Sequence, residues 1–294
     1  MIDLTVDGRR VEVPDGSTLL DACRSAGSEV PTLCALSTLA PANACRACVV
    51  EAGPGALVPA CSRIAEPGME VRTDSDRVRR SRRLVFELLA SAVELDRSPE
   101  IAQAIEAVGA DGSRFGGPAA ATERALPTPG HRPAPDPSVA ASVAEPPKVE
   151  DDLYVRDYAR CILCYRCVDA CGDQHQNTFA ITMAGRGFDT VVATEYDVAL
   201  PESACVYCGN CIAVCPTGAL MGRVEYDMRQ AGSWDPSGQD VTRTICPYCG
   251  VGCSLDVRTQ DGRIVDVTSP LDHDVTLGNL CVKGRFGWRF VHAE

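Results

Sequence analysis

Two segments near opposite ends of the chain alternate apolar and polar residues across an Asp-Gly pair. The first runs "IDLTV", Asp7-Gly8, "RRVEV", and the second runs "SLDVRTQ", Asp261-Gly262, "RIVDVT". Alternation with a period of two is typical of a strand with one buried face, and Asp-Gly is a strong signal for a two-residue hairpin turn. The pattern therefore predicts a β-hairpin in each place.

A different pattern predicts helices between the first hairpin and residue 115. Ser17 is placed to cap a short helix that runs through Ala26, with Gly27 just past its end. The segment "SDRVRRSRRLVFELLAS", from Ser75 to Ser91, predicts a longer helix with an Arg-rich start. Ser98-Pro99-Glu100 then predicts the start of another helix.

The stretch from Gly116 to Glu150 separates this region from the rest of the chain. It holds eight of the twenty prolines and no cysteine, so it has little to bury. We predict an extended, mostly disordered Pro/Ala-rich linker there. The cysteine-rich segments after it are too small for a large core, so metal should supply much of their folding energy. The predicted division is 1–74, 75–115 (a helical segment), 116–150 (the linker), 151–240 and 241–294.

Composition places the chain in a reducing compartment. There are 17 cysteines in 294 residues, an odd number in a long chain, and the first residues have neither a basic nor an apolar signal-peptide region. Clustered thiols are then metal ligands more often than disulfides, and we expect a cytoplasmic protein. The net charge of −12 argues against nucleic-acid partners. No apolar run is long enough for membrane insertion.

Four cysteines in the first domain have spacing suited to a 2Fe–2S cluster. Four thiolates supply two ligands to each tetrahedral iron, and a hairpin, a helix and a long cysteine loop resemble a β-grasp ferredoxin. The loop is longer than the plant-type one. It is similar to the module that the large iron–sulfur subunit of respiratory complex I shares with NAD-linked formate dehydrogenases and multi-cluster hydrogenases. A four-cysteine zinc site is the alternative. We call these four the N-terminal group, spaced C-x10-C-x2-C-x12-C: Cys34, Cys45, Cys48 and Cys61.

Two further features of this region bear on ligand assignment. Cys23 lies inside the first helix pattern with no partner at ligand spacing, which indicates a buried core residue. In the resembling families, a loop with one His and three Cys holds a 4Fe–4S cluster soon after the helix that Ser75 begins. Here no cysteine lies between Cys61 and Cys161, and the only His of that interval is His131, in the linker. We therefore expect that cluster to be absent.

The domain at 151–240 contains the same cysteine motif twice, 44 residues apart. The copies are "CILCYRCVDAC" and "CVYCGNCIAVCP", each spaced C-x2-C-x2-C-x3-C. This is the two-cluster bacterial ferredoxin pattern, in which each fourth cysteine serves the other cluster. The first ferredoxin group is therefore Cys161, Cys164, Cys167 and Cys215. The second ferredoxin group is Cys171, Cys205, Cys208 and Cys211.

The last domain carries the final ligand set, which we call the C-terminal group. "CPYCGVGC" and "GNLCVKGRFG" resemble the N-terminal 4Fe–4S domain of molybdopterin oxidoreductases, most closely the formate dehydrogenases. In that family a Lys two positions after the last ligand lies between the cluster and the pterin, and Lys283 occupies that position. It is one of two lysines in the chain, with Lys148. The C-terminal group is Cys246, Cys249, Cys253 and Cys281.

The resemblance covers nearly the whole chain and matches the first third of an NAD-linked formate dehydrogenase large subunit. It implies an α+β protein: a β-grasp 2Fe–2S ferredoxin-like domain, a two-cluster 4Fe–4S ferredoxin domain and a small 4Fe–4S domain of molybdopterin-oxidoreductase type. The implied cofactors are one 2Fe–2S and three 4Fe–4S clusters. The implied partners are a molybdopterin catalytic subunit, with molybdenum or tungsten, and a subunit that binds FMN and NAD. Lys283 is the one residue expected to assist the reaction directly, in electron transfer between cluster and pterin. The catalytic pterin domain itself is expected outside this chain.

Two other functions stay open at this point. One is the large iron–sulfur subunit of a complex I-like NADH dehydrogenase, which shares the first module but keeps the His/Cys cluster on its main electron path. The other is a stand-alone multi-cluster electron carrier with no catalytic partner. An iron hydrogenase is less favoured, because no further cysteine-rich catalytic motif follows.

Overall fold

The structure is a computed structural model that describes residues 1–115, 131–132, 142–143, 146–187 and 190–292. The chain forms two compact units, each taken separately below. Unit 1 comprises the described residues of Met1–Leu36, Pro41–Ala144 and Ala159–Cys164. Unit 2 comprises the described residues of Ser37–Ala40, Glu145–Tyr158 and Tyr165–Glu294.

Unit 1 is built on a mixed five-stranded sheet. The strand order is β2-β1-β5-β3-β4, in which β1 and β5 run parallel and the other neighbours run antiparallel. Two short strands, β6 and β7, pair separately. The elements in chain order are β1 (Ile2–Val6), β2 (Arg9–Val13), α1 (Leu19–Ser25), β3 (Val49–Ala52), β4 (Leu57–Pro59), β5 (Glu70–Arg72), α2 (Asp76–Ala92), α3 (Pro99–Ala107), β6 (His131–Arg132) and β7 (Ser142–Val143).

The first predicted hairpin is confirmed. Strands β1 and β2 pair antiparallel with Val6 opposite Arg9. Asp7 and Gly8 have φ of 48° and 79°, and positive φ at both central residues is what a type I′ turn requires. The inward positions of β1 pack on α1 to form the main core of unit 1. Cys23 lies in this core and is fully buried, as predicted, and burial raises the pKa of its thiol to about 11.

The start of α1 differs from the prediction by one residue. Thr18, not Ser17, is the N-cap, because the Thr18 hydroxyl accepts a hydrogen bond from the Asp21 backbone N–H. The Asp21 carboxylate in turn accepts from the Thr18 backbone N–H at 2.9 Å. This capping box satisfies two donors at once, and Ser17 has no carboxylate three residues later.

The helices α2 and α3 begin where the sequence predicts. Ser75 caps α2 and Ser98 caps α3, each through its hydroxyl oxygen. The buried face of α2 carries Phe86, which packs against Ile101 of α3. Arg82 of α2 is buried and donates to the carbonyl of Val49 in β3 at 2.8 Å. Apolar packing between α2 and α3, together with the Arg82 hydrogen bond to β3, thus holds both helices within unit 1.

Unit 2 consists of short elements joined by cysteine-rich loops. Strand β8 pairs with β11, β9 pairs with β10, and β12, β13 and β14 form a three-stranded antiparallel sheet in that order. The elements are β8 (Tyr154–Arg156), α4 (Arg166–Cys171), β9 (Thr182–Ala184), β10 (Val191–Ala193), α5 (Asn210–Ala213), β11 (Leu220–Gly222), α6 (Arg223–Gln230), β12 (Gln239–Ile245), β13 (Ser254–Gln260), β14 (Arg263–Thr268) and α7 (Val282–Phe286).

The second predicted hairpin is also confirmed, but its sheet has one more strand than predicted. Asp261 and Gly262 turn with φ of 52° and 73° between β13 and β14. Strand β12 pairs along the whole of β13. Nearly all residues of β12 are exposed, so the strand lacks the alternation that a buried face would produce. This is why the sequence pattern does not reveal it.

Most of the predicted linker lies outside the described residues. In its last part, which the structure describes from residue 146, Lys148 forms a β-bridge with Arg156. The guanidinium of Arg156, which is 1% exposed, also pairs with the Glu150 carboxylate at 2.5 Å. Residues 148 and 150 thus pair with β8 of unit 2, where the Glu150 carboxylate satisfies a buried arginine. Among the described helices, none is long and apolar enough to cross a membrane.

Candidate iron–sulfur sites

The N-terminal group comes together in unit 1 around the start of β3 and the end of β4. Cys48 directly precedes β3, and Cys61 follows β4 by two residues. The thiols of Cys45 and Cys61 donate hydrogen bonds to Cys34, which lowers the pKa of Cys34 to about 2. Cys61 likewise donates to Cys48 and lowers its pKa to about 7. The pKa values of Cys45 and Cys61 are raised in return. The structure therefore connects the four predicted ligands through three thiol pairs: Cys34 with Cys45, Cys34 with Cys61, and Cys48 with Cys61.

Burial distinguishes this group from an exposed thiol cluster. Cys34, Cys48 and Cys61 are each at most 4% exposed, and Cys45 is half-buried. Cys48 and Cys61 also belong to the main core of unit 1. A cofactor held here would be shielded from water by the sheet and α1.

The second ferredoxin group lies within unit 2. Its four cysteines line one cavity, which contains about 360 Å³ of space free of protein atoms. The remaining wall is mainly apolar and includes Ala170, Ile181 and Leu200. Cys171 comes from the first copy of the motif and stands with three cysteines of the second copy. This is the arrangement that crossed ligation requires.

The backbone of both motif copies turns its amides toward the first cysteine sulfur. The N–H of Leu163 donates to Cys161 Sγ at 3.5 Å, and the N–H of Tyr207, 44 residues later, donates to Cys205 Sγ at 3.4 Å. Leu163 and Tyr207 both have positive φ. Each copy has a second residue with left-handed backbone: Tyr165 in the first copy, with φ of 70°, and Gly209 in the second, with φ of 71°. N–H donors near the sulfurs stabilise the negative charge of a cluster and tune its potential.

The first ferredoxin group is divided between the two units. Cys161 and Cys164 fall in unit 1, whereas Cys167 and Cys215 fall in unit 2, so its ligand set stays a prediction. Cys215 also accepts a backbone hydrogen bond, since the N–H of Leu220, five residues later, donates to its sulfur at 3.5 Å.

The C-terminal group surrounds the strand ends of the three-stranded sheet in unit 2. The N–H of Cys246, just after β12, donates to the carbonyl of Cys253 at 2.8 Å. Cys281 is the N-cap residue of α7. Burial and the negative charges of Cys246, Cys249 and Cys281 together raise the pKa of Cys253. The four thiols therefore share one electrostatic environment, although Cys249 and Cys281 are exposed.

Lys283 projects from the same end of α7 as Cys281. The side chain is exposed, and Val282 beside it is 37% exposed. Tyr248 and Val251, in the loop that carries Cys249, are also exposed apolar residues. The exposed residues next to Cys249 and Cys281 in the chain thus include a cation and several apolar side chains.

Two buried residues that the sequence analysis missed stand beside the second ferredoxin group. Tyr154 of β8 lines its cavity, and burial together with nearby Cys211 raises the pKa of its hydroxyl. Arg285 of α7 is 2% exposed, and its Nε donates to the carbonyl of Cys208 at 3.0 Å. The sequence signal for Arg285 is its position in "CVKGRFG", two residues after Lys283.

The residues present fit iron–sulfur clusters by donor chemistry. All 17 cysteines are free thiols, and thiolates are the ligands of such clusters. No three His, Cys, Asp or Glu side chains of the described residues have the close spacing of a single-ion site. The fit of the cysteine groups rests on their shared surroundings and on the amides that face them.

Comparison with protein families identifies the domains. The chain matches the 2Fe-2S iron-sulfur cluster binding domain over residues 1–76, the 4Fe-4S dicluster domain over 160–219 and the molybdopterin oxidoreductase Fe4S4 domain over 239–293. The chain is therefore an iron–sulfur protein that contains 2Fe–2S and 4Fe–4S domains, as the cysteine spacing predicts.

Curated relatives are oxidoreductases or their subunits. The chain is 34% identical, over its whole length, to a subunit of the NADH-quinone oxidoreductase of Rhizobium meliloti (strain 1021), and it covers 32% of that protein. It is 27% identical, over 99% of its length, to a putative formate dehydrogenase of Staphylococcus haemolyticus (strain JCSC1435), of which it covers 31%. The chain thus spans about a third of the length of these relatives. It is similar to them over that third.

A solved structure supports the fold. The chain resembles a chain from the crystal structure of an NAD+-reducing [NiFe]-hydrogenase in the H2-reduced state, with a TM-score of 0.58 and 24% identity. The match covers 76% of this chain and 87% of that one. At this identity the likeness concerns the fold alone.

Proposed function

We propose that the chain is the electron-transfer part of an NAD-linked formate dehydrogenase. It would carry electrons from a metal–pterin catalytic chain or domain to a subunit that binds FMN and NAD. The observation that supports the proposal is the exposure of the C-terminal group: Cys249, Cys281 and Lys283 are exposed, and so are the apolar residues Tyr248 and Val251. The match to a molybdopterin oxidoreductase domain over the same residues supports a pterin partner there.

The proposed cofactors are one 2Fe–2S cluster on the N-terminal group and a 4Fe–4S cluster on each of the other three groups. Counting ligands gives about 14 iron atoms per chain. When bound, such clusters accept and release one electron at a time, so the two electrons of formate oxidation would cross the chain singly. The thiolates hold the clusters, the apolar walls exclude water, and the facing amides compensate negative charge.

Lys283 is proposed to act at the junction with the pterin. Its ammonium is a compact cation with three donors. Placed two residues after Cys281, it would stabilise the additional electron on either side of the junction and form hydrogen bonds across it. The partner that covers this surface is proposed to carry molybdenum or tungsten, and a cytoplasmic location suits a chain with 17 free thiols.

The decisive experiment is anaerobic purification of the native assembly, followed by identification of its other chains and metals. Formate should bleach the visible absorption of the clusters within the enzyme's turnover time. An assembly that contains molybdenum or tungsten and is reduced by formate supports the proposal. An assembly that NADH reduces and formate leaves oxidised would contradict it.

Crossed ligation can be tested separately by electron paramagnetic resonance. Cys215→Ala should remove the same signal as Cys161→Ala, although 54 residues separate the two positions. Cys171→Ala should remove the signal that Cys205→Ala removes. If Cys215→Ala instead matched Cys205→Ala, the ligand sets would be uncrossed. Iron analysis of each variant distinguishes the loss of one cluster from general unfolding.

A second candidate is the large iron–sulfur subunit of a complex I-like NADH dehydrogenase. The 34% identity over the whole chain to the Rhizobium meliloti NADH-quinone oxidoreductase protein favours it. Against it stands the lack of any cysteine between Cys61 and Cys161, where that class carries a further cluster. Reduction of the assembly by NADH, with a quinone-reducing partner and no pterin, would establish this second function. A monomer without partners would indicate a stand-alone carrier.

A further inference from the structure

Arg285 is a buried cation that connects two cysteine groups of unit 2. It belongs to α7, where its backbone N–H donates to the carbonyl of Cys281, a residue of the C-terminal group, at 3.0 Å. Its side chain points the other way, and Nε donates to the carbonyl of Cys208, a residue of the second ferredoxin group, at 3.0 Å. One residue thus bonds the backbone of a predicted ligand in each group.

The positive charge of the Arg285 guanidinium is only partly compensated by its neighbours. Nη1 donates to the carbonyl of Val267 at 3.4 Å, and the buried Nη2 has no acceptor among the residues that the structure describes. Asp266 lines the same small cavity as Arg285 and is the carboxylate that most favours its charge. Burying a cation so incompletely paired costs stability, and a negative charge nearby is the usual compensation.

The absence of a side chain at Gly209 allows the Arg285 side chain to lie close to the backbone of the second ferredoxin group. A β-carbon there would lie 2.1 Å from Arg285 Cδ and 2.7 Å from its Nε. The positive φ of Gly209 does not by itself require glycine, because Tyr165 has the same φ at the equivalent position of the first motif copy. The close contact with Arg285 therefore explains why the second copy has glycine and the first does not.

We propose that Arg285 is a positioning residue with two effects. It raises the electron affinity of a cluster held by the second ferredoxin group, and it ties that group to the C-terminal group. A cluster gains one negative charge when it accepts one electron, and no bond is made or broken. A fixed cation in a poorly solvated site stabilises the reduced form more than the oxidised form. Under the proposed function, a cluster held by the C-terminal group would supply the electron, so the Arg285 cation would favour transfer away from the pterin junction.

The test is a redox titration of the full chain with its clusters, followed by electron paramagnetic resonance. The signal lost in Cys208→Ala identifies the second ferredoxin group. In Arg285→Gln, we expect the ratio of reduced to oxidised cluster at a fixed potential to fall at least tenfold, which is about 59 mV for a one-electron couple. Arg285→Lys keeps the charge and should shift the ratio less than Arg285→Gln does.

Two further variants separate charge from structure. Asp266→Asn removes the carboxylate that offsets Arg285 and should shift the same ratio in the opposite direction. Arg289→Gln removes an equal charge from an exposed residue that donates to the Asp152 carbonyl, and it should leave the ratio unchanged. The 2Fe–2S signal of unit 1 should be constant in all variants.

The inference rests on the proposed ligand set of the second ferredoxin group, and the measurements tell the two failures apart. Low iron and sulfide in the unsubstituted chain would reject the ligand set. Full iron with an unchanged ratio in Arg285→Gln would overturn the role of Arg285. If Arg285→Gln fails to assemble, Asp266→Asn still decides: a higher ratio supports the proposal, and an unchanged or lower one rejects it.

Discussion

The N-terminal and C-terminal groups hold four thiols each but differ in their access to solvent. Three cysteines of the N-terminal group are almost completely buried, and two of them belong to a hydrophobic core. In the C-terminal group, Cys249 and Cys281 are exposed and stand beside exposed apolar residues. A group inside a core is suited to relay electrons without side reactions. An exposed group is suited to exchange them with whatever covers it.

The largest expected effect is the loss of a whole cluster from either group. Cys48→Ala should lower iron from about 14 to about 12 per chain, because a 2Fe–2S cluster is lost, whereas Cys249→Ala should lower it to about 10. Cys48→Ala should also destabilise unit 1, since the buried side chain contributes to its core. Iron analysis and thermal unfolding test both claims. A content near 18 in the unsubstituted chain would reveal a fifth cluster and refute the assignment of 75–115.

The next effect concerns Lys283, which lies two residues after Cys281 of the C-terminal group. Lys283→Met should slow formate-dependent reduction of that group roughly tenfold to a hundredfold, because a charge-assisted hydrogen bond contributes about 1.5–3 kcal/mol. Stopped-flow reduction of the assembled complex is the measurement. Lys283→Arg should rescue only in part, since the guanidinium is larger and planar.

Lys148→Met is the matched control for that experiment. Lys148 is the other lysine of the chain and pairs with Asp197 at 2.7 Å. An ion pair of this kind contributes little stability, so reduction should proceed as in the unsubstituted protein. Equal rates in Lys283→Met and Lys148→Met would assign Lys283 to an ordinary surface role.

Accessibility should also separate the groups during oxidative damage. As air or a chelator removes iron, a maleimide should label Cys249 and Cys281 at least about tenfold faster than Cys48, which opens only when unit 1 unfolds locally. Cys23 is an internal control: a pKa of about 11 leaves few thiolates at neutral pH, so its labelling should be slowest. Mass spectrometry of the labelled peptides gives the order. Labelling of all predicted ligands at the same rate would contradict the expected difference in accessibility between the two groups.

The smallest expected effect concerns Asp7 in the first turn of unit 1, whose carboxylate accepts hydrogen bonds from Thr73 and Ser28. Burial raises the pKa of Asp7, but hydrogen bonds from Thr73 and Ser28 outweigh it, so the net pKa is lowered. A lowered pKa contributes stability above the unfolded-state value, near 4, that is lost as pH falls through the folded-state value. Asp7→Asn should therefore cost about 1 kcal/mol or less at pH 7, because the carboxylate is exposed.

That difference should shrink as the pH falls below about 4, because Asp7 is protonated first in the unfolded chain and, at lower pH, in the folded protein, whose Asp7 pKa is lowered. Denaturant unfolding of unit 1 at pH 7 and pH 3 measures it. Asp15→Asn is a suitable control, since Asp15 is an exposed residue of the same unit. A constant difference across this pH range would mean that Asp7 stabilises the turn only as a hydrogen-bond acceptor of either form.

The sequence by itself predicted the elements whose signals are local. Both hairpins follow from Asp-Gly turns, and the starts of α2 and α3 follow from Ser75 and Ser98, because turn and cap energies involve residues a few positions apart. Cysteine spacing likewise predicted the domain types, since a cluster limits how far apart its ligands lie along the chain.

Only the tertiary structure decided the features that join distant residues. Strand β12 has no buried face of its own and is held by pairing along the whole of β13. The contact between Arg285 and Cys208 spans 77 residues. No local pattern encodes such a contact, because the energy of a buried charge depends on what the completed fold places around it.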